Sequence, residues 1–151
     1  MKRLLRLAYR LLRIYWFIRR PITVGVRVIL VRQERILLVR HTYQDAWYFP
    51  GGGVKQGETL EAAIRREAAE EAGVTLGKLA LFGVYTSFHE YKNDHITVFT
   101  CDEFQQSEKK DREIEAVQFF ALDELPADLA PGCRRRMQEY LARTRGNYGA
   151  W

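Results

Sequence analysis

Several features that would settle a fold quickly are scarce in this sequence. Only two of its 151 residues are cysteine, Cys101 and Cys133, too few for a disulfide scaffold and in no metal-ligand spacing. That usage suits a reducing, cytoplasmic compartment. With four prolines, 47% hydrophobic and 28% charged residues, the chain is neither disordered nor proline-rich. It is long enough for one domain with a real core. No apolar run approaches the ~20 residues that a transmembrane helix requires. The three histidines, His41, His89 and His95, form no recognised ligand spacing. Internal repeats and low-complexity stretches are missing too.

The most informative deficit is one of acid. The first twenty residues hold Lys2, Arg3, Arg6, Arg10, Arg13, Arg19 and Arg20 and no aspartate or glutamate. Setting these seven aside leaves 17 basic against 19 acidic residues, so the net charge of +5 falls to −2. The basic character belongs to the N-terminal segment, and no nucleic-acid groove is indicated across the body.

That segment, Met1–Arg20, reads as one helix ended by Pro21. Arg3, Arg6, Arg10 and Arg13 recur at helical intervals, and Leu4, Leu7, Leu11, Ile14 and Ile18 fall on the other side, with Tyr15, Trp16 and Phe17 near the C-terminal end. A helix of this kind fits a membrane interface. It equally fits packing on its own domain or in a homodimer. Arginines break any signal-peptide core, and Arg19-Arg20-Pro21 offers no small-residue cleavage site. The expected division is residues 1–21 as a basic amphipathic helix, peripheral at the inner membrane surface if it meets lipid, and 22–151 as the main folded domain.

Along the remaining chain, Ile22–Val31 and Ile36–Arg40 read as a β-hairpin about a Gln33-Glu34-Arg35 turn. His41–Gly57 is loop-like and contains Gly51-Gly52-Gly53. Thr59–Ala72 is a helix, capped by Thr59 and closed by Gly73. Leu79–Phe88 and His95–Cys101 are predicted strands joined by Glu90–Asp94. Gln105–Arg112 is a polar loop, Glu115–Ala121 a strand, and Pro131–Arg145 a closing helix. Strands with two interspersed helices imply an α+β domain, layered as α/β/α about a mixed sheet.

The chemistry concentrates between Gly52 and Val74. Glu67, Glu70 and Glu71 stand at i, i+3 and i+4, so their carboxylates share one helix edge. Their mutual repulsion calls for a cation, and carboxylates suit hard divalent ions that bridge to phosphates. The apolar stripe Leu60, Ile64, Ala68 and Ala72 would seat the helix on the sheet and turn the acidic edge toward the glycine loop. There, unhindered amides and carbonyls of Gly51, Gly52 and Gly53 can approach phosphate or metal.

Read in order, the stretch is Gly52, five residues, Glu58, seven residues, Arg66-Glu67-Ala68, one residue, Glu70-Glu71, one residue, Gly73-Val74. It resembles the Nudix box at every specified position, with Ala68 where a larger aliphatic is usual. Trp47-Tyr48-Phe49-Pro50-Gly51-Gly52 and Leu122-Asp123-Glu124-Leu125-Pro126 are similar to other Nudix features.

The resemblance implies a Nudix-type α/β/α sandwich that uses Mg²⁺ or Mn²⁺ to hydrolyse a nucleoside diphosphate linked to another group. It implies metal ligation by Glu67, Glu70, Glu71 and the Gly52 carbonyl, support from Glu58, and orientation of the glutamates by Arg66. A late carboxylate is expected from Glu113, with Glu115 as the alternative. For the nucleotide, Tyr91 lies near where diadenosine-polyphosphate members carry a tyrosine, and Tyr43, Trp47, Tyr48 and Phe88 are candidates for stacking on a base. The competing readings are a catalytically silent, nucleotide-sensing Nudix-like domain and a membrane-surface interaction domain. A sensor would be expected to have lost a box carboxylate, and here none is replaced.

Overall fold

The computed structural model of the chain describes residues 2–19, 21–107, 112–144 and 146–151. The side chains of Arg3, Leu4 and Arg6, and all of Asp111 and Arg145, lie outside the described residues.

Helix α1 spans Lys2–Arg19, followed by β1 Ile22–Arg32, β2 Arg35–His41 and a short β3 at Trp47–Tyr48. Helix α2, Leu60–Ala72, leads into β4 Val74–Leu76 and β5 Ala80–Ser87. A 3₁₀ turn at His89–Tyr91 precedes β6 Asn93–Cys101, β7 Phe104–Gln106 and β8 Ile114–Ala121. Helix α3, Pro131–Leu141, and β9, Asn147–Ala150, complete the order.

The expected hairpin exists only at its tip, where Val31 pairs with Ile36 and Arg32 with Arg35. Gln33 and Glu34 alone make the turn, both with positive φ (51° and 55°). Such two-residue turns are usually marked by Asn-Gly or Asp-Gly, and neither residue carries that signal, so Arg35 belongs to a strand instead. Beyond the tip the strands part. β1 runs parallel to β6 from Ile22 to Leu30, while β2 pairs antiparallel with β8 and β3. β5 continues the sheet antiparallel to β6, and β9 runs parallel to β5 at the edge. The sheet is therefore mixed, in the order β3-β2-β1-β6-β5-β9, with β8 also on β2.

Central strands buried on both faces carry apolar residues in succession, and alternation sends them to opposite sides. Leu37 and Val39 of β2 join Val26, Val28 and Leu30 of β1 in the layer beneath α2. Ile36 and Leu38 point the other way, with Ile29, Val98, Cys133 and Met137, into the layer under α3. The result is the expected α/β/α sandwich.

On α2, Thr59 Oγ1 accepts from the Ala62 amide, and Gly73 adopts the left-handed C-cap (φ 65°). The buried face is Ala63, Ile64, Ala68 and Ala72, with Leu60 exposed. Ala63 thus takes the place expected of Leu60 on the buried face. Four strands lie in stretches not read as strands: β3 inside the His41–Gly57 loop, the β4–β7 ladder, which captures Gln105, and β9 at the sheet edge.

Candidate active site

The site is assembled where α2 passes the glycine loop. Val26 N donates to Gly52 O (2.9 Å), Val54 N to Val24 O (3.0 Å) and Val28 N to Pro50 O (3.0 Å), which lashes the loop to β1. Gly51 has φ 142°, and a Cβ there would stand 2.1 Å from Val26 O, so only glycine fits. A Cβ on Gly52 would lie 2.6 Å from the carboxyl carbon of Glu67. The missing side chain is what lets that carboxylate reach the loop.

Arg66 is the hub of the carboxylate edge. Its Nε and Nη2 grip both oxygens of Glu58 at 2.8 and 2.9 Å, in the fork geometry that guanidinium matches best. Its Nη1 donates to Glu67 (2.6 Å) and Glu70 (3.2 Å), and Nη2 reaches Gly53 O (3.1 Å). The Glu58 carboxyl is pulled down to about 2 by the Arg66 hydrogen bonds and by the Lys55 amide. Arg66 is raised correspondingly, chiefly by Glu58. Arg66 thus engages both Glu58 oxygens and ties Glu58 to the carboxylate edge.

Glu71 is held differently, turned inward and buried. Its Oε2 accepts from the Gly51 amide and its Oε1 pairs with His41 Nε2, both at 2.8 Å. His41, also buried, lies at the β2 end opposite Ile114. No sequence signal marked His41, because its partner is thirty residues away and on another element.

Glu113 precedes β8, and its carbonyl accepts from the Thr42 amide (2.8 Å). Its charge, with that of Glu71, adds to burial in pushing the Tyr43 hydroxyl up. Glu113 and the box glutamates thus act on one tyrosine, while Glu115 sits at the register shift between Arg40 and His41.

A cleft of about 340 Å³ adjoins the glycine loop, lined by Arg27, Tyr48, Lys92, Asp94, Arg135 and Trp151 among others. Arg27 links it to the loop by donating to Gly51 O. Asp94 accepts from Thr23 Oγ1 (2.7 Å) and stands 3.8 Å from where a Gly25 Cβ would be, a position itself 3.5 Å from Gly52 O. Trp151 packs on Gly132, where a Cβ would come within 2.2 Å of the indole nitrogen. Arg27, Asp94 and Trp151 are isolated in sequence, and only the folded sheet brings them together.

Three of the expected aromatic contacts fall elsewhere. Trp47 is a buried core residue, against Phe120 and beneath the Arg40 guanidinium, so it is not open to a base. Tyr91 packs against Phe17 of α1 (5.0 Å) and lines a separate groove with Arg10 and Arg13. Phe88 is 75% exposed and outside the cleft. Tyr48 does line it.

Among the described residues, no three His, Cys, Asp or Glu side chains stand as a ready metal-ligand group. Arg66 and His41 hold the carboxylates on hydrogen bonds instead. The chemistry of the donors nonetheless fits a hard divalent cation. Glu67 is pushed above its ordinary range by burial, with Arg66 opposing and the Glu71 and Glu70 carboxylates adding to the rise. The cluster carries more negative charge than Arg66 neutralises, on oxygen atoms alone.

The model of the NUDIX domain matches residues 20–141. The chain belongs to the Nudix family. An ADP-ribose pyrophosphatase of Methanocaldococcus jannaschii is 32% identical over 108 residues, covering 68% of this chain and 64% of that one. An RNA pyrophosphohydrolase of Hydrogenovibrio crunogenus is 39% identical over 60 residues, 39% of this chain and 36% of that one. The matched parts thus span less than two thirds of either relative. Among solved structures, a MutT NUDIX hydrolase from Burkholderia pseudomallei superposes with TM-score 0.71 at 29% identity, covering 78% of this chain and 96% of that one. A MutT protein from Bacillus halodurans gives 0.71 at 25% identity, covering 83% and 86%. Helix α1 lies wholly before the Nudix match.

Proposed function

We propose that this Nudix domain hydrolyses a diphosphate bond in a small nucleotide, a nucleoside diphosphate linked to another group, with Mg²⁺ or Mn²⁺. The observation that carries the reading is the approach of Glu67 to Gly52, with Glu70 and Glu71 on the same helix edge and Arg66 and His41 fixing them. Glu67, Glu70, Glu71 and a carbonyl of the glycine loop would hold the ion, which supplies charge neutralisation on the diphosphate and a more acidic attacking water. Gly52 O already accepts from Val26, and its second lone pair is the one that would serve.

The protein's own groups supply positioning and charge. Arg66 and His41 fix the carboxylates before substrate arrives, so little reorganisation remains at the moment of reaction. Arg27, Lys92 and Arg135 bring positive charge to the cleft where phosphates would enter, and Tyr48 and Trp151 offer aromatic surface to a base or sugar. Glu113 is the late carboxylate, acting beside Tyr43. A cleft of about 340 Å³ suits a small nucleotide, which favours a substrate of the ADP-ribose kind over an RNA chain.

The test is a panel of ADP-ribose, nucleoside triphosphates, dinucleoside polyphosphates, nucleotide sugars and a 5′-triphosphorylated RNA. Phosphate, pyrophosphate and nucleoside monophosphate are measured separately, with Mg²⁺, with Mn²⁺ and in EDTA. Metal-dependent release of a nucleoside monophosphate from a small nucleotide is expected. Full turnover in EDTA would remove the assignment, and binding of nucleotides without turnover would identify a sensor.

A further inference from the structure

Helix α1 presents two different apolar surfaces, and only one of them is used by the protein. Tyr9 meets Tyr43 with ring centres 5.2 Å apart, and its hydroxyl accepts from Gln44 (3.3 Å). Trp16 lies beneath the Lys92 ammonium (4.2 Å), and Phe17 packs on Tyr91. At about 100° per residue, Tyr9 and Trp16 lie about 20° apart on the helix, so the domain holds α1 along that line. Leu7, Leu11, Ile14 and Ile18 occupy an arc of about 60° centred roughly opposite. They are 53%, 59%, 56% and 72% exposed. The aliphatic stripe therefore points away from the domain, and packing of α1 on its own chain does not account for it.

What covers the stripe is indicated by charge. Arg10 and Arg13, both exposed, lie between the aromatic line and the aliphatic arc. With Ile14, Phe17 and Tyr91 they line an open groove of about 420 Å³. Two guanidinium groups beside three apolar side chains is the pairing that an acyl chain with an anionic headgroup requires. A second copy meeting this stripe about a two-fold axis would set like rows of arginine against each other. Nothing in residues 1–20 offsets them, since that segment holds seven basic and no acidic residues. No helix among the described residues is long and apolar enough to cross a membrane, so insertion is at the surface.

We infer that α1 docks the domain onto an anionic lipid bilayer, with Leu7, Leu11, Ile14 and Ile18 in the acyl boundary and Arg10 and Arg13 at the headgroups.

The test is co-sedimentation of the full chain with vesicles of phosphatidylcholine alone and of equal parts phosphatidylcholine and phosphatidylglycerol. The expected result is salt-sensitive binding to the mixed vesicles only. Leu11→Gln/Ile14→Gln and, separately, Arg10→Gln/Arg13→Gln should each weaken partitioning about tenfold, with far-UV dichroism and melting temperature unchanged. The arginine pair also serves as the independent probe should the glutamine pair unwind α1. Failure to bind the mixed vesicles overturns the inference, as does equal binding to neutral ones or binding that neither variant alters. A dimer in light scattering that Leu11→Gln/Ile14→Gln dissociates would overturn it in favour of a second copy.

Discussion

Helix α2 is closed at both ends, by Thr59 and Gly73, and its apolar side from Ala63 to Ala72 is buried against the sheet. Its charged side is cross-linked, Arg66 binding three glutamates and His41 a fourth. Helix α1 has no acidic residue in its first turn, touches the domain through Tyr9, Trp16 and Phe17, and leaves its aliphatic stripe open. Both are amphipathic, but amphipathicity says only that a helix has two sides. In α2 the polar side holds the carboxylate cluster and the apolar side the fold. In α1 the fold takes the aromatic residues, and the stripe with the larger hydrophobic content is left for something outside the chain.

The sharpest way to break this contrast is at the α2 carboxylates. Glu70→Gln or Glu71→Gln should lower kcat by on the order of 10²–10⁴, equivalent to about 3–5 kcal/mol of transition-state stabilisation. Steady-state kinetics on the best substrate of the panel measures it. Full activity in the double variant would mean that the cluster has no part in the reaction.

A smaller effect is expected one step back. His41 acts through Glu71, and loss of such an outer partner typically costs about 10–100-fold. His41→Ala should fall in that range in kcat with little change in KM. His41→Gln, which can offer an amide N–H to the same oxygen, should recover part of it. An equal loss in both variants would make His41 a packing residue. Glu113→Gln should then cost about tenfold, more in kcat than in KM, with Glu115→Gln the milder change. A reversal would reassign the late carboxylate.

The pairing of Glu58 with Arg66 has a signature in stability. Its carboxyl falls from an ordinary 4.5 to about 2 on folding. A group depressed in this way stabilises the fold above pH 4.5 and loses that contribution as the pH falls toward 2. Urea midpoints across this window should drop more steeply for the native protein than for Glu58→Gln. Parallel curves would show that the Arg66 fork is not maintained in solution.

Much of the site was legible because the box places its residues on one short element. Helical spacing alone put Glu67, Glu70 and Glu71 on a common edge, and three glycines in a row announced a close backbone approach. The remainder depended on distance in sequence. His41, Arg27 and Asp94 come to the site from three strands, with no local pattern to mark them. β9 was illegible for a related reason: Asn147-Tyr148-Gly149-Ala150 has no alternation, and its place comes from pairing with β5 and from Trp151 packing on Gly132. Tyr91 and Trp47 show the converse, aromatic residues read for stacking that the fold engages away from the cleft, Tyr91 against Phe17 and Trp47 in the core against Phe120.

The smallest expected effect isolates the comparison between the helices most cleanly. Ile64 of α2 is fully buried, beneath the helix and against β1 and β2. Truncating such a residue removes transfer free energy and leaves a cavity, so Ile64→Ala should cost about 2–5 kcal/mol. Ile14 of α1 has the same side chain but is 56% exposed, and it projects from the stripe that points away from the domain. An exposed site of this kind has no cavity to form, and Ile14→Ala should stay within about 0.5 kcal/mol of the native protein. Alanine also favours the helix over isoleucine by a few tenths of a kcal/mol, which opposes the small loss of contact. Urea unfolding of both variants in lipid-free buffer measures the pair. A cost at Ile14 approaching that at Ile64 would mean that the stripe is buried in solution, by a fold or an assembly in which α1 turns its aliphatic side inward.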